Sequence, residues 1–550
     1  LALGPGGRRA PGAAGAHRGG QRTVRRWSAR PASLGGMNTS TRKWGTFAIC
    51  ALLAIVPNID LTALNQAVPH LSADLHPSAT QILWIADAYG FALAGLLITM
   101  GGVGDRIGHK RLLMIGTALF AATSAATAYA PSAELLIAAR ALLGVAGATL
   151  MPSCLSLIRR VFTDPKERTM AVGMFSGVAG LAVGLGPVIG GALLDSFWWG
   201  SVFLINVPIM VVALVAGAVV LPESREPVPG RLDLPSVPLS AAGVLGLVYA
   251  VKEAAAHGPD EPRVAVSALI GAAALAAFLV RQARAAHPLI DLRLFRNAAF
   301  SGSVGTNMFA MFALVAQSLI FSLFFQLALG WSPLRSGLAG LPGALGAMVG
   351  GAALAPPLIS ALGRARTVAI GLVVSAAAFS LFLTIGLHTS YWTILPVILM
   401  SGVGMGMAMT VTADTVLASV PKNRSGAASA ISETATELGG ALGMAVLGSV
   451  LNAVYRDTLD LPASVPALAA SAARDSLAGA VQAASALPAR AAAELTAAAR
   501  AAFVDGMHAA LLCSAALAAL VAAFALATLR NVPKVIEDPT PAPEHPTPIP

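Results

Sequence analysis

The sequence predicts an all-α polytopic membrane protein with fourteen spans and both ends on one face of the bilayer. Three observations predict it. The chain of 550 residues is 56% hydrophobic and only 11% charged, whereas a soluble protein carries roughly 25% charged residues. Its apolar residues fall into runs of about the length that crosses a bilayer. Its Lys and Arg residues gather in alternate short loops between those runs, the bias that sets orientation. The net charge of +10 is therefore a matter of topology, and no nucleic-acid partner is expected. The bilayer itself is the surrounding partner.

The runs cover residues 44–69, 80–101, 111–130, 133–157, 169–195, 201–221, 237–252, 264–280, 300–325, 337–361, 367–387, 391–418, 425–451 and 506–529. With the first loop outside, the inner loops collect Arg42, Lys43, Lys110, Arg111, Arg159, Arg160, Lys166, Arg168, Arg364, Arg366, Lys422 and Arg424. The outer loops keep Lys252, Arg263, Arg335 and a few arginines in one long loop, which counts little for orientation. Shifting the count by one span scrambles this asymmetry.

Residues 1–36 differ from the rest, being rich in Gly, Ala and Arg without an apolar stretch, so they are not a signal peptide. The expectation is an over-extended start with Met37 as the true one, or else a disordered basic arm on the inner surface; the basic segment as a whole is placed at 1–43. Scarce Lys with abundant Arg, Ala and Gly suggests a GC-rich bacterial genome, hence a bacterial plasma (inner) membrane. Cys50, Cys154 and Cys513 lie far apart in apolar stretches, without metal-ligand spacing, and read as packing residues. No metal site is expected.

The most informative loop is Gly101–Arg111, reading GGVGDRIGHKR. Gly101, Gly104 and Gly108 allow a tight turn and close helix approach. Asp105, with Arg106, is expected to bridge helix ends and hold an inner gate, flanked by Lys110 and Arg111. The chain also echoes itself. Gly108-His-Lys-Arg-Leu-Leu-Met-Ile-Gly116 resembles Gly363-Arg-Ala-Arg-Thr-Val-Ala-Ile-Gly371, and Pro165-Lys-Glu-Arg168 resembles Pro421-Lys-Asn-Arg424, at offsets of 255 and 256 residues. Runs 1–6 then correspond to runs 9–14, with runs 7 and 8 inserted. Parallel six-helix halves imply a site between them near the midplane, reached by rocking. The resulting divisions are 44–221, an insert and linker over 222–299, 300–530, and a disordered tail over 531–550. In the second half Ser360 replaces Asp105, so the charge latch is expected on one side only.

These motifs resemble the major facilitator superfamily, and within it the fourteen-helix drug:proton antiporter branch. The loop Gly101–Arg111 is similar to the superfamily signature. Arg140-Ala-Leu-Leu-Gly144-Val-Ala-Gly147 is similar to its fourth-helix pattern, with Leu143 in place of the usual Gln. Gly186-Pro187-Val-Ile-Gly190-Gly191 is similar to the antiporter signature of the fifth helix, with Ala182 where Gly is usual. Asp60-Leu-Thr62-Ala-Leu-Asn65, Trp84-Ile-Ala-Asp87-Ala-Tyr89 and Phe203-Leu-Ile-Asn206-Val-Pro208 are similar to further patterns of the branch. The resemblance implies a major facilitator fold, a monomer without cofactors, and export driven by the proton-motive force.

Ionisable residues inside spans are costly and mark function. Asp60 and Arg140 are expected to serve proton coupling, or else to form a permanent ion pair that fixes packing. Asp87 is a candidate substrate or cation contact with Trp84 and Tyr89, or simply a wetted interface acid. Glu433 and Glu437 are four residues apart, about 6 Å along one helix face. Ionised together they repel, as a proton relay or cation site requires; hydrogen bonding to neighbouring hydroxyls is the plainer alternative. Asp414 reads as an interface acid. The Gly-Pro step at Gly186-Pro187 suits a bend in a tight interface between halves, with Gly190 and Gly191. For the pocket, Phe309, Phe312, Phe321, Phe324, Phe325, Met400, Met405, Met407 and Met409 offer faces for apolar cations, with Asn307 and Gln326 as polar contacts. Residues 452–505 are expected to form an outer helical hairpin with arms 467–487 and 489–503, shading the exit.

The leading function is a proton-driven exporter of lipophilic, cationic drugs or toxic compounds, its partners being small-molecule substrates and protons. Export of an endogenous metabolite or lipid-like product is the alternative, and a receptor or scaffold is a third. No HExxH, Walker or Gly-x-Ser-x-Gly pattern supports an enzyme.

Overall fold

The computed structural model describes residues 39–534 apart from 78, 223–232, 234, 259, 286–287, 422–423 and 462–464. The basic arm before residue 39 and the tail from residue 535 lie outside the described residues, as does the Pro187 side chain. Helix α1 begins at Thr39, so the last residues of the segment predicted to be disordered over 1–43 are helical.

The first half is built from α1 (Thr39–Leu75), α2 (Ala79–Ile107), α3 (His109–Ala128), α4 (Ala133–Val161), α5 (Pro165–Ser196), α6 (Ser201–Leu204) and α7 (Asn206–Val220). The insert is a hairpin of α8 (Ser236–His257) and α9 (Pro262–Arg284). The second half holds α10 (Ala298–Leu323), α11 (Pro333–Met348), α12 (Ala355–Leu362), α13 (Arg364–Leu381), α14 (Tyr391–Ala418), α15 (Ser425–Thr458), α16 (Ala467–Asp475), α17 (Leu477–Ala484) and α18 (Ala489–Leu529). Among the described residues, twelve helical runs are long and apolar enough to cross a membrane. The other two predicted positions are also helical. Helix α5 lies along α1, and α8 has a shorter apolar stretch, Ser236–Val251.

Local signals explain the breaks. Asp164 caps α5 by accepting the Glu167 N–H at 2.8 Å, with Pro165 at the first helical position, where a missing N–H costs nothing. Gly108 turns α2 into α3 at φ 97°, a conformation that suits glycine. The ladder widens to a π turn over Val349–Leu354, just before Pro356 and Pro357, which have no N–H to donate. A second π turn, Phe324–Ala328, ends α10.

Each half has its own apolar core. Leu113, Phe120, Leu143, Phe175 and Met210 meet in the first; Phe321, Phe324, Phe379, Leu447 and Leu511 meet in the second. The halves join along two seams, α2 against α15 and α5 against α11. The repeat offset carries α2 onto α11–α12 and α15 onto α5, so the seams are equivalents of each other. Both depend on small residues. Gly101 lies against Gly426 and Ala430, and Gly173 lies against the Gly351 backbone. The insert breaks this symmetry, because α8 packs on both α2 and α15. Its partner α9 turns Val266, Leu269 and Ile270 outward, as a lipid-facing helix does.

Loops assigned to the inner face meet at one end. Lys43 pairs with Glu167, and Lys110 Nζ donates to the Ala218 and Leu221 carbonyls at 3.1 and 2.9 Å. Lys534 Nζ reaches the Ser360 and Ala361 carbonyls at 3.0 and 2.9 Å.

The long outer loop departs from expectation. Its first arm is two short helices, α16 and α17, and its second arm is not separate. Residues 489–503 continue into the last span as the 41-residue α18, because this Ala-rich stretch favours helix and contains no proline to stop it. The loop is seated on the second half: Tyr455 Oη donates to the Ala473 carbonyl at 2.7 Å, and Arg500 Nε to the Leu327 carbonyl at 3.2 Å. Amide exchange should therefore be slow and continuous from residue 491 to 525. Complete exchange of 489–503 within seconds, as in an unpacked insertion, would contradict this arrangement.

Candidate functional site

Burial dictates the chemistry of the first half. Asp60 on α1 and Arg140 on α4 are both fully buried and form an ion pair. Arg140 Nε also donates to the Ile85 carbonyl at 3.1 Å. Its guanidinium lies over the rings of Tyr89 and Phe203, 5.1 and 5.7 Å from their centroids, which adds cation–π attraction in a desolvated place. The other Asp60 oxygen accepts from Asn206 Nδ2 at 3.3 Å, and Asn206 also donates to Ser124 Oγ at 3.1 Å. Helices α1, α4 and α7 thus meet at one carboxylate, with α2 and α3 joined one bond further out. Tyr89, predicted as a substrate contact, is fully buried and belongs to this network.

In the second half, Glu433 and Glu437 share a helix face with Gly426 and Ala430, which lie against α2; Glu433 is half-buried and Glu437 exposed. Asn307 on α10 donates to Thr436 Oγ1 at 2.8 Å and Ser432 Oγ at 3.4 Å, inside the second half.

The inner end carries three polar links between halves. Asp105 accepts the N–H groups of Gly426 and Ala427 at 2.8 and 2.9 Å, and His109 Nε2 is 3.1 Å from it. A carboxylate on the first turn of α15 meets unpaired donors and the positive end of the helix dipole. Arg159, at the end of α4, donates to the Val420 carbonyl just past α14, the reverse arrangement. Asp414 on α14 accepts from Arg168 Nε at 2.6 Å and Thr169 Oγ1 at 3.1 Å, both on α5, and pairs with Arg364 at 2.8 Å.

Three expectations are corrected here. The partner of Asp105 is the α15 backbone, while Arg106 turns back to the Gly102 carbonyl at 2.9 Å. The latch also has two sides: Ser360 bonds its own helix, but Asp414 supplies the second-half carboxylate from another helix and grips the start of α5. The glycines of the antiporter signature are displaced as well. Gly186 and Gly190 pack on Thr62 and Ala63 of α1, within one half. Gly173 and Gly177, nearer the start of α5, touch the other half. Gly191 meets open space.

The predicted pocket set divides. Met405, Met407, Phe321, Phe324 and Phe325 are buried, most of them in the second core, where Phe321 packs on Phe382 at 4.3 Å. Phe312 packs against that core. Gln326 donates to Ser322 Oγ at 2.9 Å within its own helix. Phe309 is exposed. Trp84 is exposed beside half-buried Asp87, and its ring leads to Phe91 at 5.9 Å and then to Tyr249 of the insert at 6.2 Å. Arg111 is exposed. Asn206, Arg159, Arg168, Arg364 and His109 were not predicted as site residues, although Arg168 and Arg364 lie within the two repeat echoes.

A model of the Major Facilitator Superfamily matches residues 50–444. The chain is 44% identical over 469 residues to the multidrug efflux pump LfrA of Mycolicibacterium smegmatis, covering 85% of this chain and 93% of that one. It is 35% identical to the methyl viologen resistance protein SmvA of Salmonella typhimurium, over 81% of this chain and 90% of that one. It is 33% identical to the tetracenomycin C resistance and export protein of Streptomyces glaucescens, over 90% and 93%. The fold resembles the crystal structure of the human organic anion transporter MFSD10, at a TM-score of 0.55 and 14% identity, over 88% of this chain and 99% of that one.

Removing one member of a buried pair leaves an uncompensated charge and costs roughly 3–5 kcal/mol. Asp60→Asn and Arg140→Gln should each lower the melting temperature in detergent, and the double variant should lose less than the sum. Strict additivity would mean the two side chains do not depend on each other.

Proposed function

We propose that this chain, which belongs to the Major Facilitator Superfamily, is a proton-coupled antiporter that exports lipophilic, cationic compounds across the bacterial plasma membrane. The observation that carries the reading is the pair Glu433 and Glu437 on the α15 face that packs on α2, while the buried first-half acid Asp60 is already neutralised by Arg140. An acid with a fixed cation is stable without a proton. Two carboxylates on one face favour a shared proton or a bound cation, which makes proton and cationic substrate competitors for one place.

In this reading α5 and α8 complete fourteen spans, and the end bearing Asp105, Arg159 and Asp414 faces the cytoplasm with both termini. Its polar links hold the cytoplasmic side closed. Protonation of the α15 acids from outside displaces substrate. The halves then rock, the inner links part, and proton loss inside restores the cation site. Exchanging one proton for one monovalent cation moves no net charge, so the pH difference drives it, at roughly 1.4 kcal/mol, or about tenfold in substrate gradient, per pH unit. Trp84, Phe91 and Tyr249 offer a ring-lined approach for apolar cations. In this reading the protein works as a monomer without cofactors, and the proton gradient supplies the energy. The tetracenomycin relative favours a second reading, export of an endogenous product.

Efflux of ethidium from loaded cells separates these. Wild type should export it, a protonophore should abolish export, and Asp60→Asn and Glu433→Gln should each lose it at equal expression. Wild-type efflux no faster than an empty control would remove the broad drug-export reading.

A further inference from the structure

Helix α15 carries two adjacent stripes. Gly426, Ala430, Glu433 and Glu437 form the one that faces α2. One residue back, Ser425, Ser429, Ser432 and Thr436 repeat the same spacing and continue into Gly439 and Gly443. This second stripe faces α10. Gly439 and Gly443 lie against the Met308 and Phe312 carbonyls, and Ser432 and Thr436 are bonded to Asn307. Helix α10 answers with Ser303 and Asn307, four residues apart on one face, so the seam is lined by hydroxyls and one amide, with Thr306 buried on the same helix.

Its polar atoms are short of partners. Ser303 Oγ, Thr306 Oγ1, Ser429 Oγ and Asn307 Oδ1 are buried and meet no hydrogen-bonding atom of the protein; none of these residues is more than 5% exposed. Neighbouring threonines do satisfy themselves, Thr434 on the Ala430 carbonyl and Thr436 on the Ser432 carbonyl. Each unpaired buried polar atom costs about 1–3 kcal/mol. Ordered water is the usual remedy where a site offers two to four polar partners.

We propose that the α10–α15 seam holds a short file of ordered waters that carries protons between Glu433 and the inner end of the bundle. The inference rests on the reading of Glu433 as the proton carrier. Ser429 stands one turn below Glu433 on α15, and Ser425 begins the helix, so the path spans roughly 12 Å along the axis. The Glu433 carboxyl gives its proton to the nearest water. Each water or hydroxyl then passes on one O–H proton as it accepts another, and one proton emerges at the inner end.

The acid stripe is rotated by about 100° from the seam. Glu433 therefore reaches the file only by swinging its side chain, which prevents a standing leak. The seam gives the proton its own exit, apart from the larger route that Asp105 and Asp414 close. The charged or titratable groups on elements packed against α15 include Asp87, Tyr89, Asp105 and Arg106 on α2, Arg140, Arg159 and Arg160 on α4, Tyr249 and Glu253 on α8, Asp414 on α14, and Arg500, Asp505 and His508 on α18, with Glu437 on α15 itself. Helix α10 contributes none.

The test uses the full chain in proteoliposomes, with ethidium as substrate and a trapped pH dye. Ser303→Ala and Ser429→Ala each remove one buried hydroxyl with little change of shape. Ethidium affinity should stay within about twofold, while substrate-driven proton movement slows about tenfold or more. Ser429→Thr, which keeps the hydroxyl, should retain the wild-type rate. If wild type couples protons and both hydroxyl-free variants couple equally fast, the inference is overturned while the exporter reading stands. If wild type moves ethidium without protons, both fall. A cryo-electron microscopy map in nanodiscs tests the file without any variant. Density within hydrogen-bonding distance of Ser303 and Ser429 is expected, and a dry seam at a resolution that shows other waters overturns it.

Discussion

A charge buried in apolar surroundings has to be matched where it lies, and this chain makes its matches largely between helices distant in sequence. Asp60 is held by Arg140, Asp414 by Arg168 and Arg364, and Asp105 by the open N–H groups of α15. The last two bridge the halves. An ion pair of this kind adds little net stability against an apolar replacement, but breaking it is expensive. It therefore acts as a two-position device. Closed, each partner is satisfied by protein; parted, each must be satisfied by water entering from the inner end.

Small residues decide where such contacts can form. Gly101 against Gly426, and Gly173 against Gly351, bring backbones close enough for a carboxylate to reach a helix end. The two seams are related by the internal repeat, yet their chemistry differs. One uses an acid on backbone donors, the other an acid on two guanidinium groups. The insert adds a further difference by bracing α2 and α15 on one side only. A rocking motion about these seams is thus unequally loaded.

Much of the architecture was legible from period and charge. Apolar runs separated by Arg-rich loops placed the helices, and the loops assigned to the inner face do meet at one end. The echo at Gly108 and Gly363 pointed to an internal repeat, and both glycines open a helix at positive φ. What sequence could not give was pairing. Arg106 follows Asp105 and looked like its partner, but neighbours on a helix point in different directions, and the real donors come from more than three hundred residues away. Asp414 looked like an interface acid because it lies near the inner end of its span. The glycines of the antiporter signature were visible, but which helix they face depends on tertiary packing. The Ala-rich stretch after Pro488 looked like a loop arm because its apolar character is modest. Its helix propensity, with no stop signal, carried it into the last span.

The most direct test is a distance measurement across the inner end, using spin labels at Lys166 and Ala361, which are exposed and lie on opposite halves. A control pair sits at the other end, at Phe197 and Leu334. In wild type the inner pair should be short, and Asp414→Asn combined with Asp105→Asn should lengthen it while the outer pair shortens. If the double substitution leaves both distances unchanged, the polar links at the inner end do not hold the halves together.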